Sequence, residues 1–154
     1  MKYFLITGVS SGIGSAIVQQ LLAEGHFVFG SVRKETDVAR LTGKWGERFE
    51  ALVFDVTDPE AVEKAKLTIE KKVGNAGLAG LVNNAGISIY GPLKYLPVSK
   101  FERQMQVSVY GMLHVIQTFL PLLGSEMSSQ IPPGKIVNIS SVAGLFTMPF
   151  LVPY

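Results

Sequence analysis

Apolar residues come in short runs, and polar stretches with helical spacing separate them. The runs are Tyr3 to Thr7, Phe27 to Val32, Phe49 to Phe54, Leu78 to Val82 and Lys135 to Ile139. Each has the length of a strand and is bounded by turn residues, so each predicts a strand inside a sheet. Between the first two, Ile13, Ala16, Ile17 and Leu21 give one helical face, and Gly25 is placed to end that helix. The polar stretch from Lys34 to Gly46 has room for a short helix. Asp58-Pro59 opens another, with Asp as cap and Pro in the first turn, and Val62, Ala65, Ile69 and Val73 form its apolar stripe. A long helix is expected from near Ser99, where Glu102 follows three residues on as in a capping box. Phe101, Met105, Val109, Met112, Ile116 and Phe119 recur along it, and Pro121 to Gly124 mark its end.

Five strands alternating with helices predict an α/β fold, a doubly wound parallel sheet with right-handed crossovers. Such sheets bind ligands at the carboxyl ends of their strands, where strand order reverses. The exit of the first strand is therefore the place to look for function.

Composition narrows the classes. Of 154 residues, 47% are apolar and 17% charged, enough to bury a core and too apolar for disorder. A net charge of +2 gives no reason to expect nucleic acid or a membrane surface as partner. The absence of cysteine excludes disulfides and thiolate metal sites. His26 and His114 are scattered and read as structural residues, so no metal is expected. The opening run breaks at once in a glycine turn, too short for a signal peptide, and no other apolar run reads as long enough to cross a bilayer. The expectation is a cytoplasmic protein without a membrane partner.

That glycine turn, Thr7-Gly8-Val9-Ser10-Ser11-Gly12-Ile13-Gly14, joins the first strand to the first helix. One glycine allows a sharp turn, one lets backbone approach a pyrophosphate, and one lets helix and strand pack closely. The helix start adds free N–H groups and a positive dipole end. Gly8, Ser10, Ser11, Gly12, Ile13 and Gly14 are thus candidate cofactor-binding residues, and the fold reads as Rossmann-type. Residues 1–154 form one dinucleotide-binding domain.

The spacing Thr-Gly-x-x-x-Gly-x-Gly resembles the signature of classical short-chain dehydrogenases/reductases. Three further motifs follow in that family's order: Asp55-Val56, Asn83-Asn84-Ala85-Gly86, and Ser141 with Tyr154. The resemblance spans essentially the whole chain, and it is loosely closest to the retinol and steroid dehydrogenase branch. It implies an oxidoreductase interconverting an alcohol and a carbonyl with a nicotinamide cofactor. It also implies adenine contact at Asp55 and Val56, a ribose-lining turn at Asn83, Ala85 and Gly86, and self-association through the long helix.

Cofactor choice is read at the end of the second strand, where NAD enzymes carry a carboxylate and NADP enzymes an arginine. Here that strand ends Gly30-Ser31-Val32-Arg33, with Val32 in the acidic residue's place. Arg33 can bind a 2′-phosphate bidentately and Ser31 can add a hydroxyl, so NADP(H) is expected in preference to NAD(H). Glu35 and Asp37 lie nearby and pull the other way.

By the same resemblance, Ser141 orients the substrate oxygen and Tyr154 exchanges the proton. An unperturbed tyrosine pKa of about 10 is too high to cycle near neutrality. The family lowers it with a lysine four residues on, a position beyond Tyr154. The domain is therefore expected to be incomplete, truncated after about five strands, with an exposed strand edge and impaired activity. A further departure is Ser108, which stands where the family commonly has asparagine.

The run Leu145 to Pro153 is almost wholly apolar and lies between the serine and the tyrosine. It suits either a lipophilic small-molecule substrate or core packing. Two alternatives stay open, a non-catalytic dinucleotide-binding module or pseudoenzyme, and an interaction protein with an inherited fold.

Overall fold

The computed structural model describes residues 1–126, 130–146, 148–151 and 153. Five strands form one parallel sheet: β1 (Tyr3–Ile6), β2 (Phe27–Val32), β3 (Phe49–Val53), β4 (Gly80–Asn83) and β5 (Lys135–Asn138). Their spatial order is β3-β2-β1-β4-β5. The chain first winds outward from β1 through β2 to β3, then returns to place β4 on the other side of β1. The switch point lies between β1 and β4, as a doubly wound sheet requires.

Strand side chains alternate between faces, and each face has its own core. On one side Leu5, Phe27 and Phe29 pack against Val62, Ala65, Ile69 and Val73 of helix α3 (Pro59–Val73). Val107, Val115 and Phe119 of the long helix complete that layer. On the other side Ile6, Val28, Val32 and Val82 pack under α1 (Gly12–Ala23) and α2 (Thr36–Trp45), through Val18, Leu22 and Leu41. The polar stretch after β2 thus holds a ten-residue helix. Asp58 caps α3, its carboxylate accepting from the Ala61 N–H at 3.1 Å.

Three sequence expectations are corrected. The buried face of α1 is centred on Gly14, Val18 and Leu22; of the expected Ile13, Ala16, Ile17 and Leu21, Ile17 and Leu21 pack at its margin, and Ile13 and Ala16 do not join the core. Ile13 is 59% exposed because it belongs to a cavity at the sheet's rim. The long helix is capped at Pro97, without a capping box at Ser99, and runs as α4 (Val98–Met105), π-helical turns over Gln106–Gly111, and α5 (Met112–Phe119). The wider turns shift the helical phase. Gln104, Val107, Gly111, Val115 and Phe119 therefore face the core, while Phe101 and Val109 are exposed. The continuous helix Val98–Leu123, mean hydropathy 1.2, is also long and apolar enough by composition to span a bilayer, contrary to the sequence reading. Its inner face is committed to the sheet core.

All four residues of β5 are exposed, with Ile136 and Val137 among the exposed large apolar side chains. The sheet edge expected from the sequence is thus open, a surface that needs cover.

Candidate active site at the carboxyl ends of the strands

The glycine turn is built by three different constraints. Gly8 has φ +72° and Gly12 φ +59°, the left-handed region that glycine enters without steric cost. Nothing lies within 4 Å of where a Gly12 Cβ would stand, so the backbone there is open to an approaching ligand. Gly14 is set by close packing: a Cβ would lie 2.4 Å from the Gly8 carbonyl oxygen and 2.5 Å from Asn84 Nδ2. The turn is also tied down from behind. The Gly8 N–H donates to Ser31 Oγ at 2.9 Å, and Asn84 Nδ2 donates to the carbonyls of Thr7 and Gly8, both at 2.9 Å. Thr7 Oγ1 accepts from the N–H groups of Asn84 (3.0 Å) and Ala85 (2.9 Å), so β1 and β4 are stitched together at the switch point. Ser11 precedes α1 without a side-chain cap, leaving the first-turn amide donors for a ligand.

These residues rim a cavity of about 430 Å³. Of the sequence candidates, Gly8, Ser10, Ser11, Gly12, Ile13, Arg33, Asp55, Val56, Ala85 and Gly86 line it, together with Val32, Phe54, Ile87 and Val107. Gly14 lies behind the turn rather than on the cavity wall. Asn83 is buried, donates to Asn138 Oδ1 at 2.9 Å across β4 and β5, and lines a different cavity. The side chain that organises this turn is its neighbour Asn84. Ser31 also lines the cavity, and its oxygen accepts from the Gly8 N–H and so supports the loop.

At the adenosine end the charges are separated. Arg33 is exposed on the cavity rim and makes no ion pair or hydrogen bond among the described residues. Asp37 is paired with Arg40, whose guanidinium also reaches the Ser10 carbonyl at 3.5 Å. Neither Glu35 nor Asp37 lines the cavity. Burial pushes the Asp55 carboxyl upward, and hydrogen bonds from the Thr57 N–H (2.9 Å) and hydroxyl (2.8 Å) oppose it. With the Arg103 guanidinium at 3.3 Å, they hold that carboxyl below its ordinary value, so it stays ionised. Arg103 and Thr57 carry no motif signal in the sequence.

A second, larger cavity of about 730 Å³ opens beside the first and shares Ile13, Asn84, Ala85, Gly86 and Ile87 with it. Ser141 lines it, its Oγ accepting from the Ala143 N–H at 3.2 Å, as do Ser108, Asn83, Asn138 and Ser140. Met105, Val109 and Met112 give it an apolar wall. The candidate Tyr154 lies outside the described residues. Among the described residues of the apolar run before it, Leu145 is 83% and Phe150 57% exposed.

The open Gly12 backbone, uncapped helix start, unpaired Arg33 and ionised Asp55 form a cradle whose donors and acceptors fit a dinucleotide. The profile of the short chain dehydrogenase family matches residues 2–154. The NADPH-dependent 3-dehydrocapnine reductase of Ornithobacterium rhinotracheale is 46% identical over 154 residues, which is 100% of this chain and 54% of that protein. Retinol dehydrogenase 7 of Mus musculus is 36% identical over 143 residues, 93% of this chain and 43% of that protein. The crystal structure of a short-chain dehydrogenase from Streptomyces avermitilis superposes with a TM-score of 0.87 at 28% identity, covering 100% of this chain and 55% of that one. The chain spans about half the length of the relatives it matches. It belongs to the short-chain dehydrogenase family.

Proposed function

We propose that this protein is an NADP(H)-dependent oxidoreductase interconverting an alcohol and a carbonyl on a lipophilic small molecule. The observation that carries the reading is the Arg33 guanidinium on the cavity rim, beside an apolar Val32, with neither Glu35 nor Asp37 in the cavity wall and with Asp55, the carboxylate that lines it, held by Thr57 and Arg103. A 2′-phosphate finds a bidentate donor in that guanidinium. The NADPH dependence named for the reductase relative supports the same choice. A bound nicotinamide would supply or take up the hydride.

The roles then divide as follows. Gly8, Ser10, Ser11, Gly12 and Ile13 hold the pyrophosphate, Arg33 the 2′-phosphate, and Asp55 with Val56 the adenine. Ala85 and Gly86 line the ribose. Gly14 and Asn83 support the site from behind. Ser141 orients the substrate oxygen and Tyr154 exchanges its proton. Met105, Val109 and Met112 favour a lipophilic substrate. A cytoplasmic location belongs to the same proposal, as does self-association through the exposed outer face of the long helix at Val98, Phe101 and Tyr110. So does impaired turnover by the 154-residue chain alone, whose β5 edge is uncovered.

Fluorescence titration of the full-length protein tests the reading. NADPH is expected to bind more tightly than NADH. Arg33→Ala should weaken NADPH about tenfold or more, as loss of a charge-assisted bond predicts, and NADH by no more than about threefold. Equal weakening of both nucleotides would refute the assignment of Arg33. Turnover assays with 3-dehydrocapnine and with retinol, taken from the relatives' names, address the reaction. The 154-residue chain should give a small fraction of the full-length rate.

A further inference from the structure

We infer that the Ser108 hydroxyl is a fixed hydrogen-bond donor presented to the larger cavity, where it binds the substrate's carbonyl or alcohol oxygen. Gln104 is the positioning residue that fixes it. The inference rests on the oxidoreductase reading above and adds a donor to Ser141 and Tyr154.

The argument follows the polarity of fixed groups. Gln104 is 1% exposed, so its amide must be satisfied inside the protein. A backbone N–H can only donate and a carbonyl can only accept. The Ile89 N–H donates to Gln104 Oε1 at 3.1 Å, and Gln104 Nε2 donates to the Ile87 carbonyl at 2.6 Å. These two backbone groups leave the amide only one orientation. The second hydrogen on Nε2 then goes to Ser108 Oγ, 2.9 Å away. An amide nitrogen accepts nothing, so Ser108 is the acceptor in that bond and its own proton must go elsewhere.

A helical hydroxyl ordinarily spends that proton on the carbonyl four residues back. Thr68 does so, donating to the Lys64 carbonyl at 3.1 Å. Ser108 makes no such bond among the described residues, although Gln104 is four residues before it. It sits in the π-helical turns Gln106–Gly111, and wide turns of this kind recur at functional sites. Ser108 lines the larger cavity, as Ser141 does. Ser141 Oγ also accepts from a backbone N–H and keeps its proton for another partner. Two hydroxyl donors in a cavity walled by Met105, Val109 and Met112, with Tyr154 in its proposed role as the third, suit an apolar molecule whose oxygen becomes an alkoxide with three lone pairs.

The crystal structure of the full-length protein with NADP+ tests the donor assignment directly. Ser108 Oγ is expected within about 3.0 Å of a water or ligand oxygen on the cavity side, the range of an O–H···O bond. A Ser108 hydroxyl bonded instead to the Gln104 carbonyl overturns the inference. With whichever of 3-dehydrocapnine or retinol is turned over, Ser108→Ala should lower kcat about tenfold or more, and Ser108→Thr should restore it to within about threefold. NADPH affinity and Tm should stay near wild type in both variants. Gln104→Glu removes both amide donors while keeping the acceptor for Ile89, so Ser108 turns toward the new carboxylate and kcat falls as in Ser108→Ala. Unchanged kcat in Ser108→Ala overturns the inference while leaving the oxidoreductase reading intact. A wild-type protein that binds no pyridine nucleotide defeats that reading instead.

Discussion

Thr7→Val is expected to destabilise the full-length protein by about 2–4 kcal/mol, although the two side chains have nearly the same shape. Thr7 is 1% exposed, and its hydroxyl oxygen accepts from the N–H groups of Asn84 and Ala85 at 3.0 and 2.9 Å. Valine offers neither amide an acceptor, and each donor stranded in a partly buried setting costs about 1–3 kcal/mol. Thr7→Ser separates this cause from packing. It keeps the oxygen and loses one methyl, worth about 0.8 kcal/mol, so it should lie much closer to wild type. Urea unfolding of the three proteins measures the difference. Comparable losses in the valine and serine variants would show that packing, and not the two amides, is what Thr7 supplies. NADPH binding should weaken in the valine variant as well, because Ala85 and Gly86 sit on the cavity wall.

The sheet was legible because a parallel strand is a short apolar run, buried along its length in β2 and β4 and carrying the same pattern in the exposed β5, and few other elements look like it. Helix α3 was legible to the residue, since its cap, its proline and its stripe all agree. The helices at the site were not. Ile13, Met105, Val109 and Met112 are apolar at helical spacing, and they line cavities instead of the core. A hydrophobic pattern cannot distinguish a side chain that meets the sheet from one that meets a ligand. The π-helical turns compound this by shifting the helical phase between α4 and α5. Polar supports escaped for a related reason. Gln104 and Arg103 lie in an unremarkable polar helix start, and only the fold brings them to Ile87, Ser108 and Asp55. The three glycines of the turn, by contrast, were readable, because left-handed backbone at Gly8 and Gly12 and close packing at Gly14 disfavour other residues there.

Gly14→Val carries the largest expected effect, about 3–5 kcal/mol of stability and roughly a hundredfold in NADPH affinity. A Cβ at this position would meet the Gly8 carbonyl oxygen at 2.4 Å and Asn84 Nδ2 at 2.5 Å. Neither neighbour can retreat. The Gly8 N–H is held by Ser31 Oγ and its carbonyl by Asn84, which also holds the Thr7 carbonyl. Helix α1 must therefore move outward, combining overpacking of about 1–3 kcal/mol with about 1 kcal/mol for each strained hydrogen bond. The same movement carries the first-turn amides away from the anion they would cradle; about 2.7 kcal/mol of lost binding is a hundredfold. Gly12→Ala is the informative contrast. No atom lies within 4 Å of its Cβ, and the cost there is the left-handed backbone at φ +59°, about 1–2 kcal/mol. Denaturant unfolding should accordingly rank Gly14→Val well below Gly12→Ala. If the two prove equally stable, α1 is not packed against the β1 and β4 turns as described, and the shape of the phosphate cradle would have to come from another source.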